Sequence, residues 1–216
     1  MTHDVDDSLR LVAYLDESRK PLRHPGSRRV DDTQGHYVVA AAILFAGEAD
    51  QARAELLTLQ KALGHDVHYS DLSRLRRCEV AEAIGRIPSW DGVLFETDAP
   101  VSSRMPDRRV RQRLLSTALP TLERDFGVSS LMLETRSAPL RGFVALDSHD
   151  HGTRQSLIAR GELLPETNLA HVTKSEPLLW IADVVAGARS DLPCGRDHAT
   201  YPLLAHRVRR VVLWSV

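Results

Sequence analysis

The stretch YVVAAAILFA, residues 37–46, is an unbroken run of ten apolar residues. A half-buried strand alternates apolar and polar side chains, but this run offers no polar face. A strand made from it needs cover on both sides. That demands layers, and the rest of the chain can supply them. Ala52, Leu56, Leu59 and Leu63 recur at helical spacing and predict a helix over 50–63, ended by Gly64. A second helix is expected over 74–87, stopped by Pro88. A third, over 107–126, carries the stripe Val110, Leu114, Ala118, Leu122 and Phe126, with Pro120 expected to kink or divide it. Strand patterns at 9–16, 92–98, 128–136 and 168–175 alternate with these helices.

Residues 18–36, polar with two prolines and two glycines, read as a loop. The segment from 138 onward reads as a loop leading into a short helix at 153–160. Ser175 is expected to cap a last helix that has Glu176 and Pro177 in its first turn. Strands alternating with helices make an α/β domain. A chain of 216 residues fits one domain, with a core over 9–190 and a C-terminal extension over 191–216.

No run of about 18 apolar residues occurs, so no membrane span is expected. The acidic start MTHDVDDSLR lacks the pattern of a secretory signal, and two distant cysteines, Cys78 and Cys194, fit a reduced cytoplasmic setting. With a net charge of -1 the overall field does not draw nucleic acid. Arginine usage points the other way. Of 28 basic residues only Lys20, Lys61 and Lys174 are lysines, which leaves 25 arginines. They gather in 104–113, at Arg74, Arg76 and Arg77, and in 206–210, either as solvated helix faces or as planar phosphate contacts.

The acidic residues are the sharper signal. In EPLLWIADVVAGA (176–188), Asp183 is surrounded by Leu178, Trp180, Ile181, Val184 and Val185. A carboxylate buried there is costly unless paired, hydrogen-bonded or metal-bound. Small Ala182, Ala186 and Gly187 admit a close neighbour. In LVAYLDESRK (11–20) an apolar strand ends in Asp16 and Glu17. Successive strand residues face opposite ways, so one of the two looks into a site on the sheet, with Asp16 the better placed. Glu134, at the end of VSSLMLETR, shares a face with Met132 and Arg136 and either joins such a site or pairs with Arg136. Gathered, these acids form a set of hard oxygen ligands suited to Mg²⁺ or Mn²⁺, and two such ions serve phosphodiester cleavage. Asp147 and Asp150 in LDSHDHG are metal ligands, substrate contacts or surface. His65, His68 and the His149–His151 pair match no firm zinc spacing. His68 suits a proton shuttle, or else a hydrogen-bonded turn histidine.

AYLDES, the apolar second strand, HYSDL (68–72) and KSEPLLWIADVVAGA (174–188), in this order, resemble the bacterial family called domain of unknown function 3800, over about residues 9–190. The resemblance implies a ribonuclease H-like fold: a mixed five-stranded sheet flanked by helices, with acids gathered at a metal site. It puts Asp16 and Glu17 on the first strand and Asp183 in the C-terminal helix. Glu134 or Asp147 becomes the later acid, and His68 falls in an H-x-S-x-L-like segment. Arg19 stands where such sequences commonly carry glycine, and either contacts a phosphate or narrows the cleft. The implied activity is metal-dependent phosphodiester hydrolysis, a nuclease on RNA or DNA with one or two Mg²⁺ or Mn²⁺ ions. Arg19, Arg108, Arg109 and Arg113 would hold phosphates. Two alternatives stand beside it: a non-catalytic binding or regulatory module, and a small-molecule phosphohydrolase.

Overall fold

The computed structural model describes residues 7–23, 30–102, 104–136 and 146–213. The apolar run forms the C-terminal half of β2 (Val30–Phe45), which pairs antiparallel with β1 (Leu11–Arg23) and with β3 (Asp91–Thr97). On the far side of β1 lie β5 (Val128–Glu134) and then β6 (Asn168–Val172), both parallel to their neighbours. β7 (Val208–Leu213) joins parallel to the outer edge of β3, and the short β4 (Val101–Ser102) pairs with β2. The result is a mixed seven-stranded sheet in the order β6-β5-β1-β2-β3-β7. It contains the expected five central strands and two more. β7 comes from the segment read as a basic cluster and extension.

Helices cover both faces, as the apolar run requires. Val38, Ala40, Ala42 and Leu44 pack with Tyr14 against α1 (Ala49–Leu63), α2 (Arg74–Arg86) and α5 (Leu178–Asp191). Val39, Ala41 and Ile43 pack with Leu15, Phe95 and Leu133 against α3 (Asp107–Phe126) and α4 (Leu146–Ala159). Among the described residues no helix is long and apolar enough to cross a membrane.

Four local expectations are corrected. Residues 18–23 and 30–36 are strand, not loop, with 24–29 outside the described residues. Tertiary partners engage Arg19 and Lys20. Arg19 is ion-paired with Asp107, and Lys20 Nζ lies 2.6 Å from Asp191. Pro21 sits at a register irregularity, where a missing N–H is tolerated. α3 is not divided at Pro120 but continues as one helix to Phe126, with Leu119, Pro120 and Leu122 all buried. α4 begins at Leu146, well before the expected 153, and takes in Asp147 and Asp150. Ser175 is not the cap of α5: the helix starts at Leu178, whose N–H donates to Glu176 Oε1 at 3.2 Å.

Candidate active site

β1 and β5 pair in parallel as far as Leu15↔Leu133. The next residue on each strand is an acid, Asp16 and Glu134. Both project on the face of Tyr14 and Met132, toward α5. β1 does not end there, since its pairing with β2 continues to Arg23. The parallel ladder ends instead, one residue short of Asp16 and Glu134. Asp16 is 2% exposed and Glu134 7% exposed. Both carboxyls lie against one nitrogen of Arg136, and the charge of Asp183 on α5 reaches Asp16. Burial, the Asp183 charge and the Glu134 carboxyl together hold Asp16 well above the usual carboxylate range, against the opposing pull of Arg136. Buried Glu134 Oε2 finds no donor in hydrogen-bonding alignment.

Three wide-apart segments thus bring Asp16, Glu134 and Asp183 together. Asp183 Oδ2 accepts from the Tyr69 amide at 2.8 Å and from His68 Nδ1 at 2.9 Å. Burial alone pushes Asp183 up, but His68, the Lys174 charge and the Tyr69 N–H outweigh it and bring Asp183 below its ordinary value. The same hydrogen bond raises His68, which stays partly exposed. Tyr69 is itself tightly seated. Its ring lies flat on Gly187, where an added Cβ would stand 2.2 Å from the ring, and its hydroxyl donates to fully buried Asp191 at 2.8 Å. Lys20 and Arg77 bracket the same carboxylate at 2.6 and 3.0 Å. The small residues of α5 serve this close approach.

Two cations stand among the acids. Arg136 Nη2 lies 3.3 Å from Asp16 and 3.2 Å from Glu134, and its Nε lies 3.4 Å from Glu17. Lys174, just after β6, lies 3.4 Å from Glu134 and 3.2 Å from His68 Nε2. Arg136 pairs with Glu134, as the plain reading of that strand anticipated, but it spans two further carboxylates as well.

Glu17, one residue on, points to the other face. There it is ion-paired with Arg111 of α3, whose Nε and Nη2 also clamp Asp150 at 3.0 and 2.8 Å. Asp150 is 2% exposed and also accepts from His171 Nε2 at 3.0 Å. Asp147 accepts from Thr135 Oγ1 at 2.6 Å and from the Arg136 amide at 2.9 Å. Asp147, Asp150 and His171 have ligand atoms within 4.8 Å of one another. Of these, Asp150 already has Arg111 as its counterion and His171 as a hydrogen-bond partner. Glu134 shares Arg136 Nη2 with Asp16, whereas Asp147 lies with Asp150 and His171.

Arg111 is buried, unlike the exposed Arg104, Arg108, Arg109 and Arg113 around it. Its spacing to Leu114, Leu115 and Ala118 was the available signal, since it places Arg111 on the buried face of α3. Arg108, Arg109 and Arg113 are exposed on α3, and the first two line a crevice with Gln112 and His149. Arg19 is held by Asp107 and by the Ser102 carbonyl at 3.2 Å. His65 lies on the surface with Nδ1 2.8 Å from the Asp66 carbonyl, and it does not join His149 or His151.

No protein-family model and no curated protein matches the sequence. Among solved structures the chain is similar to a point variant of Bst-RNase HIII. The TM-score is 0.48 and identity 15%, covering 85% of this chain and 52% of that one. It is also similar to Bst-RNase HIII in complex with Mn²⁺, with a TM-score of 0.47 and identity 14%, covering 84% of this chain and 52% of that one. The chain spans about half the length of these structures. Function is read from this chain's own side chains.

Proposed function

We propose that the chain is a divalent-metal-dependent phosphodiesterase acting on RNA or DNA, and that it belongs with the domain of unknown function 3800 family that its motifs resemble. One observation carries the reading: buried Asp16 and Glu134 share a single Arg136 nitrogen at 3.3 and 3.2 Å, and the charge of a third acid, Asp183, reaches Asp16. Left to themselves such groups repel, and the fold spends stability to keep them together. The donor set is oxygen only, the kind Mg²⁺ and Mn²⁺ prefer. Glu134 Oε2 accepts no aligned hydrogen bond, and its one close cation is Arg136 Nη2 at 3.2 Å, a contact that a metal ion would replace.

In this reading Asp16, Glu134 and Asp183 hold the metal, which when bound supplies Lewis acidity toward the phosphoryl oxygens and lowers the pKa of water. Water attacks phosphorus and the bond to the leaving oxygen breaks. His68, held at Nδ1 by Asp183, whose hydrogen bond raises its pKa, would give that oxygen its proton. Tyr69 fixes the orientation of Asp183 through its amide. Exposed Arg108, Arg109 and Arg113 take phosphates farther along the strand, whereas Arg19 is engaged by Asp107 and serves as a strut. Glu17 and Asp147 act from the opposite face, through Arg111 and Arg136.

The test is a cleavage panel of labelled single-stranded RNA, single-stranded DNA, duplex DNA and RNA–DNA hybrid in Mg²⁺ or Mn²⁺. Cleavage of at least one polymer by the wild type, and its loss in Asp16→Asn and Asp183→Asn, is the expected result. Full activity in both variants overturns the assignment. Turnover of monomeric phosphate esters with indifference to polymer length would favour the phosphohydrolase alternative.

A further inference from the structure

A cavity of about 700 Å³ opens beside the acid cluster, on the side of His68 and Lys174. Its size is that of a small-ligand site, and it is far roomier than metal or water requires. The walls differ in chemistry. At the end nearest Glu134 stands Lys174, whose Nζ bridges Glu134 and His68. Leu57, the most exposed of them, with Val67 and Trp180 makes the apolar lining, and the indole N–H is committed to the Lys174 carbonyl at 2.8 Å. The remaining wall carries two exposed carboxylates, Asp66 and Asp71. Gln60 engages one oxygen of the first at 2.5 Å, and Ser70 engages one oxygen of the second at 2.9 Å.

Cation, apolar surface and acceptor pair, gathered in one cavity, match a particular ligand. A nucleotide is an anion at one end, a flat apolar ring in the middle and a hydrogen-bonding edge at the other. Carboxylates accept from exocyclic amino groups and repel carbonyl edges, so this wall favours cytosine, adenine or guanine over uracil or thymine. A base reaches such a wall only when unstacked from its neighbours, which single strands permit. We infer that this cavity receives one unstacked nucleotide of a single strand, with its phosphate at Lys174 and an amino-bearing base at Asp66 and Asp71. The inference rests on the phosphodiesterase reading and names the substrate class of that site: single-stranded polynucleotide, read at one position.

Fluorescence anisotropy of 5′-labelled hexacytidylate and hexauridylate, measured in EDTA so that no metal-dependent cleavage intervenes, tests this directly. The wild type binds the cytidylate at least about fivefold more tightly. The double variant Asp66→Asn, Asp71→Asn replaces acceptors with amides on the surface and brings the two affinities within about twofold. Lys174→Met weakens both oligonucleotides to the same degree. Equal wild-type affinities, no saturable binding of either, or a preference that persists in the double variant each overturn the proposal. The cleavage panel separates the two readings. A cytidylate preference in a protein that cleaves nothing in Mg²⁺ or Mn²⁺ keeps the cavity assignment and removes the phosphodiesterase. Cleavage without a preference does the reverse.

Discussion

Replacing Arg136 by methionine keeps the length of the side chain and removes the one charge shared by Asp16, Glu17 and Glu134. Its nitrogens lie 3.2 to 3.4 Å from the three carboxylates. Breaking a buried ion pair from one side costs about 3–5 kcal/mol, since the abandoned charge stays in place. Arg136 is 35% exposed, so water screens part of that, and we take about 2 kcal/mol as the expected loss. In a chain of 216 residues, about 2 kcal/mol corresponds to a melting temperature lowered by about 4–8 °C. This holds without metal. A divalent ion in the wild type has to displace the guanidinium, whereas in the variant it does not. The variant therefore binds Mn²⁺ more tightly, by up to about 30-fold if the whole 2 kcal/mol is recovered. Calorimetric melting in EDTA and across a Mn²⁺ series reads both effects. At about 100 times its dissociation constant the ion contributes about 2.7 kcal/mol, so saturating Mn²⁺ brings the variant back to the metal-free wild type or above it. A variant as stable as the wild type in EDTA, with no larger response to Mn²⁺, would refute the view that Arg136 stands in for a metal among these acids.

Gly187→Ala places a methyl 2.2 Å from the Tyr69 ring. The ring must move, at a cost of about 1–3 kcal/mol, and the amide that orients Asp183 moves with it. Thermal melting is expected to fall by that amount and cleavage to fall further than stability alone explains, whereas Gly152→Ala, with nothing within 4 Å of the added methyl, should leave both nearly unchanged. Burial pushes Glu96 up, but His36, Arg189 and Arg210 outweigh it and set Glu96 at about 2. Against its ordinary 4.5, that corresponds to about 3 kcal/mol. The contribution is fully present above the unfolded value and is lost as pH falls through the folded one. Denaturant titrations between pH 6 and 2 should show this loss in the wild type, and a flatter acid limb in Glu96→Gln.

Much of the layering was legible because it follows from period and burial alone. The run 37–46 forced two covered faces, and the stripes at 52–63 and 110–126 gave α1 and α3 with correct ends, because Gly64 and Gly127 close them in left-handed conformations. The hairpin over 18–36 was not legible. Its polar residues earn their place in a strand through partners on α3 and α5, which no local pattern shows. β7 was hidden for the same reason, since Arg210 reads as a surface cation until Glu96 is found beside it at 2.8 Å. Within the site, Asp183 was conspicuous as a charge in an apolar helix. Which of Glu134 and Asp147 joins it depended on β1–β5 register, a long-range property. Arg111, Asp150 and His171 form a buried network across three elements, and spacing within any one of them marks only Arg111.

The most direct test counts ions on the acid cluster. Free Mn²⁺ measured by electron paramagnetic resonance, with the wild type and Asp16→Asn at equal concentration, gives binding independent of any substrate. The wild type is expected to remove Mn²⁺ from solution, and Asp16→Asn to lose that capacity while melting at or above the wild-type temperature in EDTA, because it relieves the contact with Glu134. A folded wild type that takes up no Mn²⁺, or an Asp16→Asn variant that takes up as much, contradicts the account at its root.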